Sequence, residues 1–276
     1  MTIPFLPVTR SVDLPTGRVV LRELSGPQGA PTIVLLHGLG VTADINFFRC
    51  YQALGEQFRV LAFDHRGHGD GLRTRRPFRL SDCADDVAAM ADIVGVDRFV
   101  PVGYSMGGAV AQLVWKRHRR RVGGLVLCAT ATHFNDTRVE QINFLGLGGL
   151  AAMARLTPPA VRRTIAARYR RDRHADWATW AREQTARSDW RAVLEAGAAL
   201  GRFRSDPWLT EIDVPVSVVM TLADSMVPVA RQRRLSELLD DVVVFPVAGD
   251  HDAVASVPQF PATLVAAIDS VVTRAA

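Results

Sequence analysis

The chain has 276 residues, of which 48% are hydrophobic, 22% charged and 7% aromatic, enough apolar material for a full core and too much for a disordered or fibrous chain. Its 33 Lys+Arg against 28 Asp+Glu give a formal net charge of +5. The densest basic runs, Arg117 to Arg121 and Arg162 to Arg173, lack the interleaved aromatics of a single-strand nucleic-acid binder, so they read as solvated helical faces and no nucleic-acid partner is expected.

Met1 to Arg10 shows no basic flank followed by an apolar core, and Pro4 and Pro7 interrupt what apolar character it has, so a secretory leader is not expected. Arg18 to Glu23 then alternates as a half-buried strand, and Thr32 to Leu36 is a short branched apolar run of the kind buried on both faces of a sheet. After the loop His37-Gly38-Leu39-Gly40, Phe47 to Gln57 reads as a helix and Val60 to Phe63 as another buried strand. Ser81 to Val94 reads as a helix, with Ser81 placed to cap its first turn beside Asp82, Asp85 and Asp86. Strand Phe99 to Val102, helix Gly107 to His118 and strand Gly124 to Cys128 continue the alternation that builds a parallel sheet by right-handed crossovers. Pro101 conflicts with a central strand, because it removes a ladder donor.

From Thr132 to Ser205 no strand pattern appears, only helical stretches that contain Trp177, Trp180, Trp190 and most of the arginines, separated by Pro158-Pro159. The alternation resumes with strand Val214 to Met220, a helix opened by Pro228, strand Val242 to Val247 and a last helix from Pro261 to Val272. The expected organisation is one α/β domain, residues 1–131 and 206–276, interrupted by a helical cap at 132–205. Its longest apolar stretch, Ile142 to Met153, is too short and glycine-rich to span a membrane, so a soluble, cytoplasmic protein is expected. That stretch and the arginine run near it leave open a peripheral contact with a membrane surface. Cys50, Cys83 and Cys128 lie far apart with no metal or redox spacing, so they read as buried thiols, and neither a metal nor a cofactor is expected.

The chemistry is carried by Gly103-Tyr104-Ser105-Met106-Gly107-Gly108, which follows an apolar strand and opens a helix. In that context G-x-S-x-G is a tight turn that presents one serine at the carboxyl edge of the sheet, with glycines where side chains would collide. Here the sequence resembles the α/β-hydrolase superfamily over nearly its whole length apart from the insertion and the first dozen residues: a mostly parallel central sheet flanked by helices, with an inserted helical cap. His37-Gly38-Leu39-Gly40 is similar to the family's H-G loop, which implies that the Leu39 N–H forms the oxyanion hole together with that of Met106. Asp64-His65-Arg66-Gly67-His68-Gly69 is similar to the family's D-x-R-G-x-G turn, which shapes the site wall.

The family's order of nucleophile, acid and histidine falls on Ser105, Asp224 and His251, the acid shortly before Pro228 and the histidine after Gly249. Asp250 and Asp252 flank the histidine and stand as alternatives to Asp224; His118, His133 and His174 read as surface groups. The resemblance implies a serine hydrolase with a small-molecule substrate carrying an apolar acyl or aryl group. His37, Gly38, Tyr104, Phe134 and Phe144 are candidate substrate-binding residues; Phe134, Phe144, Leu145 and Leu147 would suit an apolar acyl group and would equally suit packing of the insertion. A carboxylic ester is the favoured substrate, with thioester, amide, carbon–carbon bond hydrolysis and perhydrolysis open beside it, and a non-catalytic ligand-binding module as the reading from another class.

Overall fold

A computed structural model describes residues 5–156 and 177–275. The arginine run Arg162 to Arg173, His174 and Pro158-Pro159 lie outside the described residues.

Eight strands form one sheet: β1 (Val8–Leu14), β2 (Gly17–Leu24), β3 (Thr32–Leu36), β4 (Arg59–Phe63), β5 (Val100–Tyr104), β6 (Leu125–Cys128), β7 (Val216–Thr221) and β8 (Val242–Val247). Their spatial order is β1-β2-β4-β3-β5-β6-β7-β8. The first two strands run antiparallel to their neighbours and every later pairing is parallel. Parallel neighbours require crossovers, and the connecting helices cover both faces of the sheet. Side chains alternate accordingly: Val34 and Leu36 enter one core cluster with α3 (Leu80–Ile93) and α4 (Met106–His118), while Ile33 and Leu35 enter a second. That second cluster holds α1 (Ala43–Phe47), α2 (Tyr51–Gly55) and α10 (Phe260–Ala275).

Between β6 and β7 the chain forms α5 (Arg138–Leu156), α6 (Trp177–Ala186) and α7 (Trp190–Leu200); after β7 come α8 (Val229–Glu237) and the short α9 (Ala253–Ser256). The chain leaves and re-enters the sheet side by side: His133 bridges Arg204, and the Ser205 N–H donates to the Thr132 carbonyl at 2.9 Å. Helix α5 is fastened to α8 by Arg231, which reaches Asp136 at 2.8 Å, Glu140 at 2.7 Å and the Phe134 carbonyl at 3.2 Å. This guanidinium holds the Glu140 carboxyl down at about 2.

Four expectations are corrected. Strand β1 carries one face of charged and polar residues and falls in the part of the sequence for which no strand is expected; it is held by pairing with β2 along its whole length. The helix expected at 47–57 is two short helices, separated by a turn at residues 48–50. Helix α3 starts at Leu80, so Ser81 sits inside the first turn and does not cap it. His133 is no surface group: its ring is 12% exposed and held between Asp136 and Asp206.

Pro101 is accommodated. Phe99 and Ser105 both donate to the β6 side, so the alternation of strand positions turns the Pro101 nitrogen the same way. The β5–β6 register begins one residue later, at Val102 opposite Val126, where no donor from position 101 is called for.

Candidate active site

Ser105 occupies the turn from β5 into α4 with φ of 55° and ψ of −118°, a conformation that costs a non-glycine residue free energy and persists only where its surroundings hold it. Three bonds do so: the Ser105 N–H donates to the Cys128 carbonyl at 2.9 Å, while Thr130 Oγ1 and the Gly108 N–H donate to the Ser105 carbonyl at 2.8 and 2.9 Å. The turn admits no side chain beside it. A Cβ on Gly103 would stand 2.2 Å from the Gly107 carbonyl oxygen, and one on Gly107 would stand 2.0 Å from that of Leu36. Gly107→Ala therefore forces backbone against backbone, and we expect about 3 kcal/mol of destabilisation in urea unfolding, with a matching loss of active protein.

The loops after β7 and β8 bring two further groups to Ser105. His251 Nε2 lies 2.9 Å from Ser105 Oγ, and its Nδ1 lies 2.9 Å from Asp224 Oδ2. The Tyr104 hydroxyl donates to the His251 carbonyl at 2.8 Å, so this expected substrate contact is engaged beneath the histidine loop. Asp250 accepts from the His251 N–H at 2.7 Å and from the Ser225 N–H at 2.8 Å, tying the two loops together from their exposed side. Its carboxylate is thereby occupied with backbone, and it is Asp224 that meets the imidazole.

The Asp224 side chain is fully buried. Burial pushes its carboxyl up, but donors from His251, Thr221 and the Val227 N–H outweigh this and hold it below the ordinary carboxylate range. It stays charged in a place where an unpaired charge would be costly.

Gly38 packs directly against the serine: a Cβ there would lie 3.4 Å from Ser105 Cβ. The loop is held by Asn46, whose Oδ1 accepts the Gly38 N–H at 2.7 Å, and by His37. His37 Nε2 accepts the His65 N–H at 2.8 Å, so its proton sits on Nδ1 and donates to the Gly38 carbonyl at 2.7 Å. Leu39 follows in this loop, and Met106 opens α4, where the first N–H groups have no partner within the helix. The turn after β4 braces the wall: Asp64 accepts from the Ala43 and Asp70 N–H groups, each at 2.8 Å, and Arg66 pairs with Asp86 at 2.5 Å.

Phe134 is buried, with its ring 6.2 Å from that of Phe203, and Phe144 packs over Gly201. Both are engaged in packing the segment between β6 and β7. Leu147 comes closer to the loop: a Cβ on Gly197 would meet Leu147 at 2.7 Å and Leu39 at 3.6 Å. All three cysteines are buried, and burial pushes the Cys50 thiol up to about 12, away from nucleophilic character. Among the described residues no three His, Cys, Asp or Glu side chains are grouped to hold a metal ion, and no helix is long and apolar enough to cross a membrane.

Sequence reasoning did not find Asn46, Thr221 or Gln232. Each is a polar residue whose importance lies in a partner within eleven residues that no period or motif marks.

Comparison with known proteins shows the family of the fold. The family described as alpha/beta hydrolase fold matches residues 31–254. RutD of Agrobacterium fabrum, named as a candidate carbamate hydrolase, is 30% identical over 225 residues, 75% of this chain and 80% of its own length. The proline iminopeptidase PfmaB of Pestalotiopsis fici is 34% identical over 118 residues, which span 42% of either chain. Among solved structures, the enol-lactonase of Burkholderia xenovorans LB400 superposes with a TM-score of 0.76 at 23% identity, covering 94% of this chain and 98% of its own.

Proposed function

The chain belongs to the α/β-hydrolase fold family, and from that premise we propose that it is a serine hydrolase that cleaves a carboxylic ester through an acyl-enzyme on Ser105. The observation that carries this reading is the unbroken chain of contacts from Ser105 Oγ through His251 to Asp224, both links 2.9 Å long.

In the proposed reaction His251 Nε2 takes the Ser105 proton as Oγ attacks the carbonyl carbon, and Asp224 stabilises the imidazolium from the Nδ1 side. The oxyanion is received by the Leu39 and Met106 N–H groups, the helix N-terminus adding favourable potential. Collapse of the intermediate expels the alcohol, which takes its proton from His251 Nε2. Water then gives a proton to the same nitrogen as it attacks the acyl carbon; release of the acid returns the proton to Ser105. Residues 132–205 act as a cap, with Leu147 and Leu39 at the acyl end of the pocket.

The names of the two relatives point to C–N bonds, whereas the apolar Leu39, next in the chain to Gly38, and Leu147, which meets it over Gly197, favour an apolar acyl group. Acyl transfer to water is common to both. A nitrophenyl ester series of increasing acyl length separates them: we expect kcat/KM to rise with chain length and then fall once the pocket is filled. A flat, near-background response to esters, with turnover of aryl carbamates or anilides, would move the substrate to the C–N class.

A further inference from the structure

We propose that Gln232 and Thr221 are positioning residues of this site, acting together to fix the orientation and charge of the Asp224 carboxylate. The proposal rests on the triad reading above.

Gln232 stands on α8 with no solvent exposure, a costly place for an amide unless every polar atom is matched. Its Oε1 accepts the Thr221 N–H at 3.0 Å. Its Nε2 donates to the Val227 carbonyl at 2.8 Å and to Thr221 Oγ1 at 2.8 Å, and lies 3.2 Å from Asp224 Oδ2. The amide has one possible orientation, since turning it over would set its nitrogen against an N–H and its oxygen against a carbonyl.

That orientation decides the direction of the next bond. Thr221 Oγ1 accepts from Gln232, so its single proton goes to Asp224 Oδ2, 2.7 Å away. Oδ2 therefore receives the threonine hydroxyl and the His251 Nδ1 proton, with Gln232 at the edge of range; Oδ1 receives the Met226 and Val227 N–H groups at 2.9 and 2.7 Å. A carboxylate surrounded by donors has no free direction in which to rotate and keeps its charge opposite His251. A glutamine that only tied α8 to β7 would need the Thr221 N–H and the Val227 carbonyl and nothing more; the link through Oγ1 to the acid is what assigns a role at the site.

The test is a double-mutant cycle of Thr221→Val and Gln232→Leu, read by ester hydrolysis and, in the free protein, by the downfield proton resonance of His251 Nδ1–H, identified by its disappearance in Asp224→Asn. Each single variant is expected to lower kcat about tenfold with KM within about twofold, the loss of one charge-assisted hydrogen bond. The double variant should lose little more than either single, because both residues act in one chain. The resonance should broaden or shift in both singles, and Thr221→Ser, which keeps the hydroxyl, should retain wild-type kcat and resonance.

Multiplied losses of about a hundredfold in the double variant would overturn the proposal, as would a single variant with wild-type kcat and resonance. If Gln232→Leu does not fold, the Val and Ser variants of Thr221 decide it: equal behaviour of the two would sink the hydroxyl's role. If no ester is hydrolysed by the wild-type protein, the function proposed above fails while the resonance still tests this one.

Discussion

Ser105→Ala is expected to lower kcat by about 10⁴-fold or more while leaving the urea midpoint close to wild type. The serine hydroxyl is the atom that would carry the acyl group, and without it only binding and oxyanion stabilisation are left to accelerate reaction with water. A 10⁴-fold loss corresponds to about 5.4 kcal/mol of barrier. Little stability should be lost, because the turn is held through the backbone N–H and carbonyl of residue 105, which alanine keeps. A fluorophosphonate probe gives a second readout that needs no knowledge of the substrate: one label per chain in the wild type, at Ser105, and none in the variant. Hydrolysis that survives in Ser105→Ala would remove the acyl-enzyme mechanism. Absence of both turnover and labelling in a folded wild-type protein would favour the ligand-binding reading instead.

Stability is expected to fall steeply as the pH drops below about 6.5, and the cause is a buried group of three histidines. His37, His65 and His68 are all buried, with the His65 and His68 rings centred 4.4 and 5.2 Å from that of His37. Burial holds each below the ordinary histidine range, and the neighbouring imidazoles push His37 and His65 further down.

The folded chain therefore keeps these rings neutral while the unfolded chain takes up protons below about pH 6.5. The stability their neutrality contributes is fully present above that value and is lost on acidification, with a limiting slope of about 4 kcal/mol per pH unit for three sites. Urea midpoints at pH 7.5, 6.5, 5.5 and 4.5 would show it; a flat series down to pH 4.5 would refute it. His65→Leu offers a finer test, because neither ring nitrogen of His65 has a hydrogen-bond partner among the described residues. That variant should shed about a third of the slope without sacrificing a hydrogen bond.

Much of this molecule was legible from local sequence. Period and punctuation placed seven of the eight strands: β3 to β7, buried on both faces, are apolar runs that end where the chain turns, β2 alternates as a half-buried strand, and β8 is an apolar run although much of it is exposed. The order of Gly103, Ser105 and Gly107 after such a strand fixed the turn, because only glycines fit where a Cβ would stand about 2 Å from a carbonyl oxygen. Asp224 and His251 were expected on the resemblance to the family's order of nucleophile, acid and histidine, which falls on the loops after β7 and β8. Strand β1 could not be read, since its pairing with β2 at an antiparallel edge demands no buried run on both faces.

Tertiary structure alone decided the rest. Which carboxylate meets the imidazole, Asp224 or its rivals Asp250 and Asp252, depends on where two loops end in space. So do the roles of Asn46, Thr221 and Gln232, and the turn of Tyr104 toward the histidine loop. Phe134 and Phe144 show the same limit from the other side, since an apolar residue suits a pocket and a packed interior equally well. Side-chain hydrogen bonds depend on where loops and elements meet in space and leave no period behind them, whereas burial and steric exclusion act position by position and are written directly in residue type.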